Sequence, residues 1–381
     1  MMAIQMSSLG FSPLLPAIQK DFGLSYSQIG LFTGLYGLVA MAVSVPAGIL
    51  AKRVGEKLAL SVGLLGVALG LLLLSQASSY QGALGARVVW LLGYRVAFVC
   101  VMTSIALVAP PEFRSTAMGI LGAMASLASV IGAPFGTLIA EPHGWRAGIA
   151  GFAAMALLGA VIFWFGYRPN ASQRGQASFH GHGPSAPTKS AFRTPVVWSM
   201  VLLGLINMGG FSATFFVPSA VKTTFHLGAV ESAYLISASY VVAIFMNLLF
   251  GYLCDTFDRW NMMIALAVLL IPVSFAMMIP NLLVFRVATA LVISLGLCAT
   301  NQIFALAGDV VGRSELGPSM GVVGLGGGVF GYLGPQVLGM LRDRTGGFTA
   351  GWYFVAAGVI VSLVEIVFLK HYSRSRKAPT F

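Results

Sequence analysis

The sequence predicts an all-α membrane protein of twelve transmembrane helices, arranged as two pseudo-symmetric bundles of six. Three observations predict it. Hydrophobic residues make up 57% of the 381 positions and charged residues only 9%, against about 25% charged in soluble domains, and mean hydropathy is +0.88. Twelve apolar runs reach or approach the ~20 residues a helix needs to cross the hydrocarbon core. The two halves of the chain also echo each other at a near-constant offset.

The runs fall at 2–19, 27–51, 57–76, 82–109, 115–140 and 146–167, then at 195–221, 229–254, 260–280, 282–308, 317–341 and 350–370. The 46 Gly and 17 Pro are compatible with helices that pack on one another in lipid. Residues 168–194 are polar and rich in Gly, Ser and Pro, the composition of a linker. The expected units are a first bundle over 1–167, a linker over 168–194, a second bundle over 195–370 and a basic tail over 371–381.

Orientation follows from Lys and Arg. With both termini cytoplasmic, inner loops and tail hold fourteen of the 22 basic residues. The outside holds five, namely Lys20, Arg146, Lys222, Arg342 and Arg344, and three lie inside spans, Arg87, Arg95 and Arg286. The net charge of +11 is therefore a topological signal, and no nucleic-acid partner is expected. The start MMAIQMSSLGF has no basic n-region, so a cleaved leader is not expected. Localisation to a bacterial inner membrane as a multi-pass monomer is the expectation.

Several chemistries are excluded. Cys100, Cys254 and Cys298 sit in or at the ends of apolar runs without zinc-ligand spacing. His180 and His182 lie on the polar linker with no further ligands nearby. The glycine-rich GVVGLGGGVFG at 321–331 lies inside an apolar run and is not a phosphate loop. No enzyme, cofactor or metal site is predicted.

The repeat is specific in its register. GFS at 10–12 matches GFS at 210–212, ahead of Pro16 and Pro218. Tyr36 matches Tyr240, GILAKRVGEK at 48–57 matches GYLCDTFDRW at 251–260, and AMG at 117–119 matches SMG at 319–321. Gly132 and Pro134 match Gly334 and Pro335, and every offset lies between 200 and 204. Two repeated bundles place a pathway at their interface.

With these motifs the chain resembles the major facilitator superfamily of secondary transporters over essentially its whole length. That superfamily carries G-x-L-A-D-R-x-G-R-K between spans two and three, matched here by Gly48, Leu50, Ala51, Arg53, Gly55 and Lys57. Lys52 replaces the family's Asp, and Glu56 replaces a basic residue. The second copy keeps Gly251, Leu253, Asp255 and Arg259. The resemblance implies gating by these loops, through Lys52, Arg53, Glu56, Asp255 and Arg259. Positive-inside anchoring alone would also explain the first loop. Span four resembles R-x-x-Q-G-x-G through Arg87, Trp90 and Gly93, with Trp in place of Gln and Leu91 in place of the first Gly. PEFRSTAMG at 111–119 resembles the family's approach to span five. Gly132, Pro134 and Gly136 resemble the bend of exchangers, or serve close packing. GFSPLLPAIQKDFGLS is similar to the start of the cyanate and nitroimidazole transporter branch.

Ionisable residues inside a membrane are functional candidates. Arg95 lies eight residues beyond Arg87 on span four, ~12 Å deeper. It either grips an anion in the cavity, since a guanidinium forks onto a carboxylate and stays charged, or it is satisfied by neighbouring spans. The family's use of spans 1, 4, 7 and 10 to line the cavity implies the former. Arg87 and Arg286 lie near the outer ends of their spans, free to snorkel outward and draw anions to the mouth. Tyr36 and Tyr240 could contact substrate from opposite sides, or pack. Asn207, Gln302 and Asn301 could bind substrate or join helices. Ser8 and Ser12 are weaker candidates. Acidic residues are nearly absent from the spans; Asp309 lies at a span end and Glu365 in span twelve. The reading is a secondary active or facilitative transporter of a small, organic anion by alternating access. An exporter of hydrophobic drugs and a non-transporting receptor are the alternatives.

Overall fold

The computed structural model describes residues 2–108, 114–167, 212–310 and 316–377. Every regular element among them is helical. The first bundle holds α1 (Met2–Gly10), a 3-10 turn (Ser12–Leu14), α2 (Leu15–Phe22), α3 (Tyr26–Val54), α4 (Glu56–Ser75), α5 (Tyr80–Val108), α6 (Arg114–His143) and α7 (Trp145–Gly166). The second holds α8 (212–225), α9 (Ala229–Thr256), α10 (Arg259–Ala276), α11 (Leu282–Val310), α12 (Leu316–Thr345) and α13 (Thr349–Lys377). Nine of these helices are long and apolar enough to cross a membrane. The broken α1–α2 segment, α8 and the glycine-rich α12 complete the twelve-helix fold. Large apolar side chains point outward, among them Phe165 at 76% exposure and Leu283 at 71%, as lipid requires and water would not tolerate in such number.

Two boundaries depart from expectation. The first run, read as one helix over 2–19, is interrupted after Gly10 and resumes at Leu15. Pro13 and Pro16 cause this, since each lacks an N–H and its ring collides with the carbonyl four residues back. The last helix continues to Lys377, so most of the expected basic tail is helical.

Two faces are useful as landmarks. Gly55, at φ 84°, joins α3 to α4 on one; Gly144, at φ 82°, joins α6 to α7 on the other. The bundles meet mainly through α3 against α12 and α6 against α9. The first seam is built from glycine: a Cβ on Gly37 would lie 2.1 Å from the Gly328 carbonyl oxygen, and one on Gly339 2.3 Å from that of Tyr26. Within the first bundle, Gly132 serves packing, because its Cβ would stand 2.6 Å from the Met6 carbonyl oxygen while α6 runs on through Pro134.

Gly70 brings α4 against the backbone of Trp90 on α5, where a Cβ would lie 2.2 Å from the Trp90 nitrogen. Gly70→Val is expected to destabilise the bundle by roughly 1–3 kcal/mol. Gly85, on the same α5, has open space around it, with nothing within 4 Å of where a Cβ would stand, and Gly85→Ala is expected to leave stability intact. Melting temperatures of the two purified variants check the contrast.

Candidate functional site

Arg87 follows the Tyr80 start of α5 by seven residues, ~10 Å along the axis. It does not snorkel to the surface, contrary to the sequence expectation. Its side chain is fully buried, and its guanidinium carbon lies 3.9 Å from the Trp90 ring centroid, 4.3 Å from Phe11 and 5.4 Å from Phe32. Phe11 stands at the break of the first span; Trp90 is held by the Gly70 contact. None of the three guanidinium nitrogens, nor the indole nitrogen of Trp90, has a hydrogen-bond partner among the described residues. Cation–π contacts contribute about 0.5–2 kcal/mol each. That is less than the cost of burying an uncompensated charge, so the arrangement favours an anionic acceptor.

Arg95 lies on the same helix, deeper in the bundle, and is half-buried. Its guanidinium carbon is 4.5 Å from the Tyr36 ring centroid and 5.7 Å from Phe98. Its Nε is buried without an acceptor. The structure therefore brings Tyr36 to Arg95. It adds Tyr94 and Gln5, which sequence reasoning missed: Tyr94 packs with its ring centroid 5.6 Å from that of Tyr36, and its hydroxyl donates to Gln5 at 3.0 Å.

The other candidates are placed differently. Tyr240 is fully buried beside the hydroxyls of Thr214 and Ser129, with no bond of ordinary geometry from its own hydroxyl. Gln302 is buried with both amide atoms unpartnered. Arg286 is exposed, flanking the buried stripe Phe285, Ala288, Thr289 and Val292 of α11, and is not drawn into the Arg87–Arg95 region. Asn207 lies outside the described residues, as do the side chains of Asn301, Lys52, Arg53 and Glu56.

Among the described residues, a carboxylate of the second bundle bridges each face. Asp255 pairs with Arg259 at 2.9 Å and accepts from the Thr116 backbone N–H at 2.8 Å and its hydroxyl at 2.9 Å. This ties α9 to the first turn of α6 on the Gly55 face. Asp343 accepts from the N–H of Tyr26 at 3.0 Å, the N–H of Ser27 at 2.7 Å and the Ser27 hydroxyl. This ties α12 to the first turn of α3 on the Gly144 face. Both exploit the free N–H groups and positive dipole of a helix start. Partial burial pushes the Asp343 carboxyl up, but the Ser27 and Tyr26 hydrogen bonds, with Arg342 nearby, outweigh it and hold the pKa below its ordinary value. A depressed carboxyl contributes stability above its unfolded pKa and loses it only as pH falls through the lower folded one.

Comparison with known proteins places these features in a family. The family description Major Facilitator Superfamily matches residues 1–304. A putative tartrate transporter of Agrobacterium vitis is 24% identical, over 98% of this chain and 90% of its own. A probable nitrate transporter of Staphylococcus epidermidis is 22% identical, over 96% of this chain and 92% of its own. Among solved structures, a bacterial homolog of the human lysosomal transporter Spinster matches with TM-score 0.71 at 17% identity, over 98% of this chain and 96% of that one. These names lend no specific support to the cyanate branch.

Asp343→Ala is expected to loosen the Gly144 face. A cysteine introduced at Gly331, where an added Cβ meets nothing nearer than 3.9 Å, then reacts several-fold faster with an impermeant maleimide; the three native cysteines are buried. With Asp343 intact, the rate corrected for the thiolate fraction of the probe cysteine stays flat between about pH 5 and 8.

Proposed function

The chain belongs to the Major Facilitator Superfamily, and from that premise we propose that it carries a small organic anion across the membrane by alternating access. The chain is a multi-pass membrane transporter rather than an enzyme. The observation that carries the anion reading is the pair of guanidiniums on α5, of which Arg87 has no acceptor among the described residues. In this reading Arg87 and Arg95 hold the negative end of the substrate, and Tyr36 orients Arg95. The two bundles rock about the α3–α12 and α6–α9 seams. The Asp343 and Asp255 bridges break in turn, opening one face at a time.

The names of the tartrate and nitrate relatives agree with an anionic substrate, and the positive-inside count supports a cytoplasmic Gly55 face with both termini inside. The buried carboxylate of Glu365 lies on α13, a helix that packs against α10 and α12 and away from α5. A proton in this scheme travels with the substrate or not at all, and exchange and facilitated diffusion remain consistent with the same site.

Arg87→Ala and Arg95→Ala are each expected to lower uptake of labelled carboxylates into proteoliposomes by about tenfold or more, the scale of losing a buried charge contact. Purified yield and melting temperature should stay near wild type. Normal uptake by both variants would remove the anion reading and leave the transporter fold untouched.

A further inference from the structure

Buried hydroxyls in this protein ordinarily satisfy themselves by donating to a carbonyl of their own helix. Thr33, Ser126, Thr137, Ser239 and Ser274 all do so at 2.7–2.9 Å, the usual habit of Ser and Thr in helices. Among the described Ser and Thr side chains at 0% exposure, three have no hydrogen-bond partner: Ser12, Ser212 and Thr289. Their positions are related by the internal repeat. Ser12 and Ser212 close the two GFS triplets, at offset 200. Thr289 follows the Leu282 start of α11 by seven residues, as Arg87 follows the Tyr80 start of α5. Thr289 is thus the second-bundle counterpart of Arg87, at offset 202. Pairing Arg87 with Arg286 instead falls one turn short of this register.

One ring contact links the two bundles beside these residues. Phe11, adjacent to Ser12, packs against Phe215, one turn beyond Ser212, with ring centroids 5.8 Å apart. The first-bundle set is cationic, through Arg87, with Trp90 and Ser12 as further donors. The second-bundle set is two neutral hydroxyls. Apart from Arg286, which is exposed, the expected spans 195–221 and 282–308 contain no Lys, Arg, Asp or Glu.

From this asymmetry we infer that the substrate is a hydroxylated carboxylate bound across the two bundles. Its carboxylate sits on Arg87 and its hydroxyl pairs with Thr289 and Ser212. The inference rests on the anion reading above and deepens it. A second charged group would find no cation of its own in the second-bundle set, whereas a substrate hydroxyl can both donate to and accept from the two free hydroxyls. A zwitterion is disfavoured, since no carboxylate among the described residues adjoins this cluster to receive an ammonium.

Binding to the purified full-length protein is measured by titration calorimetry with two matched pairs, lactate against propionate and tartrate against succinate. Each pair differs by hydroxyls alone. Wild type is expected to favour the hydroxylated member by about tenfold, the scale of a site hydroxyl left unpaired. Thr289→Val should bring that ratio to about one while leaving propionate and succinate binding unchanged. Ser212→Ala should narrow it, and Thr289→Ser should retain it, so a folding failure of one variant does not stop the test. A wild-type ratio of one, or equal weakening of both members in Thr289→Val, overturns the inference and leaves the anion reading standing. Absence of binding by all four acids in wild type overturns both.

Discussion

A positive charge buried without a carboxylate partner is the constraint from which the rest of the site follows. Arg87 is enclosed by three aromatic faces, and none of its nitrogens is paired. The first bundle is shaped to make that possible. Two prolines break the first span so that Phe11 and Ser12 project at the break. A glycine on α4 lets the Trp90 backbone come close, and Phe32 on α3 supplies the third ring. Ring faces moderate the charge but do not neutralise it. They also cover the guanidinium from lipid and solvent, which leaves hydrogen-bonding capacity as the unsatisfied quantity. A group that can meet it must be an acceptor, and preferably an anionic one.

Acidic side chains are confined to other tasks. The two carboxylates that join the bundles stand at the membrane faces, each at the first turn of a helix in the opposite bundle. Both acids belong to the second bundle and both helix starts to the first. Glu365 aside, the described residues near the bundle interface separate charges by role, with cations in the interior and carboxylates at the rims, where breaking and remaking a contact to backbone N–H groups costs little. Glycine-lined seams between α3 and α12 and between α6 and α9 provide surfaces along which the bundles can move without side chains interlocking.

Much of this architecture was legible in the residues. Apolar run lengths located the spans, and the constant offset between the halves identified the repeat. Arg95 was singled out for its depth and Tyr36 for its repeat partner Tyr240, but their contact was not foreseen, because Tyr36 belongs to span two, outside the spans expected to line the cavity. Arg87 was misread because depth was judged from distance to a span end. Nothing in a linear sequence tells which way a side chain turns, and here three rings from three segments hold it inward. Arg286, by contrast, sits off the buried stripe of its helix and is exposed. Asp343 lay in the short RDRTGG stretch, where a carboxylate beside arginines looks like local charge pairing. Its true partners, backbone groups more than 300 residues away, leave no mark in the local sequence. Ser212 and Thr289 look like ordinary membrane-helix hydroxyls until the habits of their neighbours show them to be exceptions.

The two bridging carboxylates differ in exposure. Asp255 is 11% exposed in its side chain and shielded by Arg259, whereas Asp343 is exposed to the surroundings. Mobile ions screen an exposed charge within about 10 Å at 0.1 M and far less effectively reach a covered one. Saline surroundings therefore weaken one clamp and spare the other. Under the alternating-access reading proposed above, ionic strength at the Gly144 face would bias the balance of the two clamps more than ionic strength at the Gly55 face.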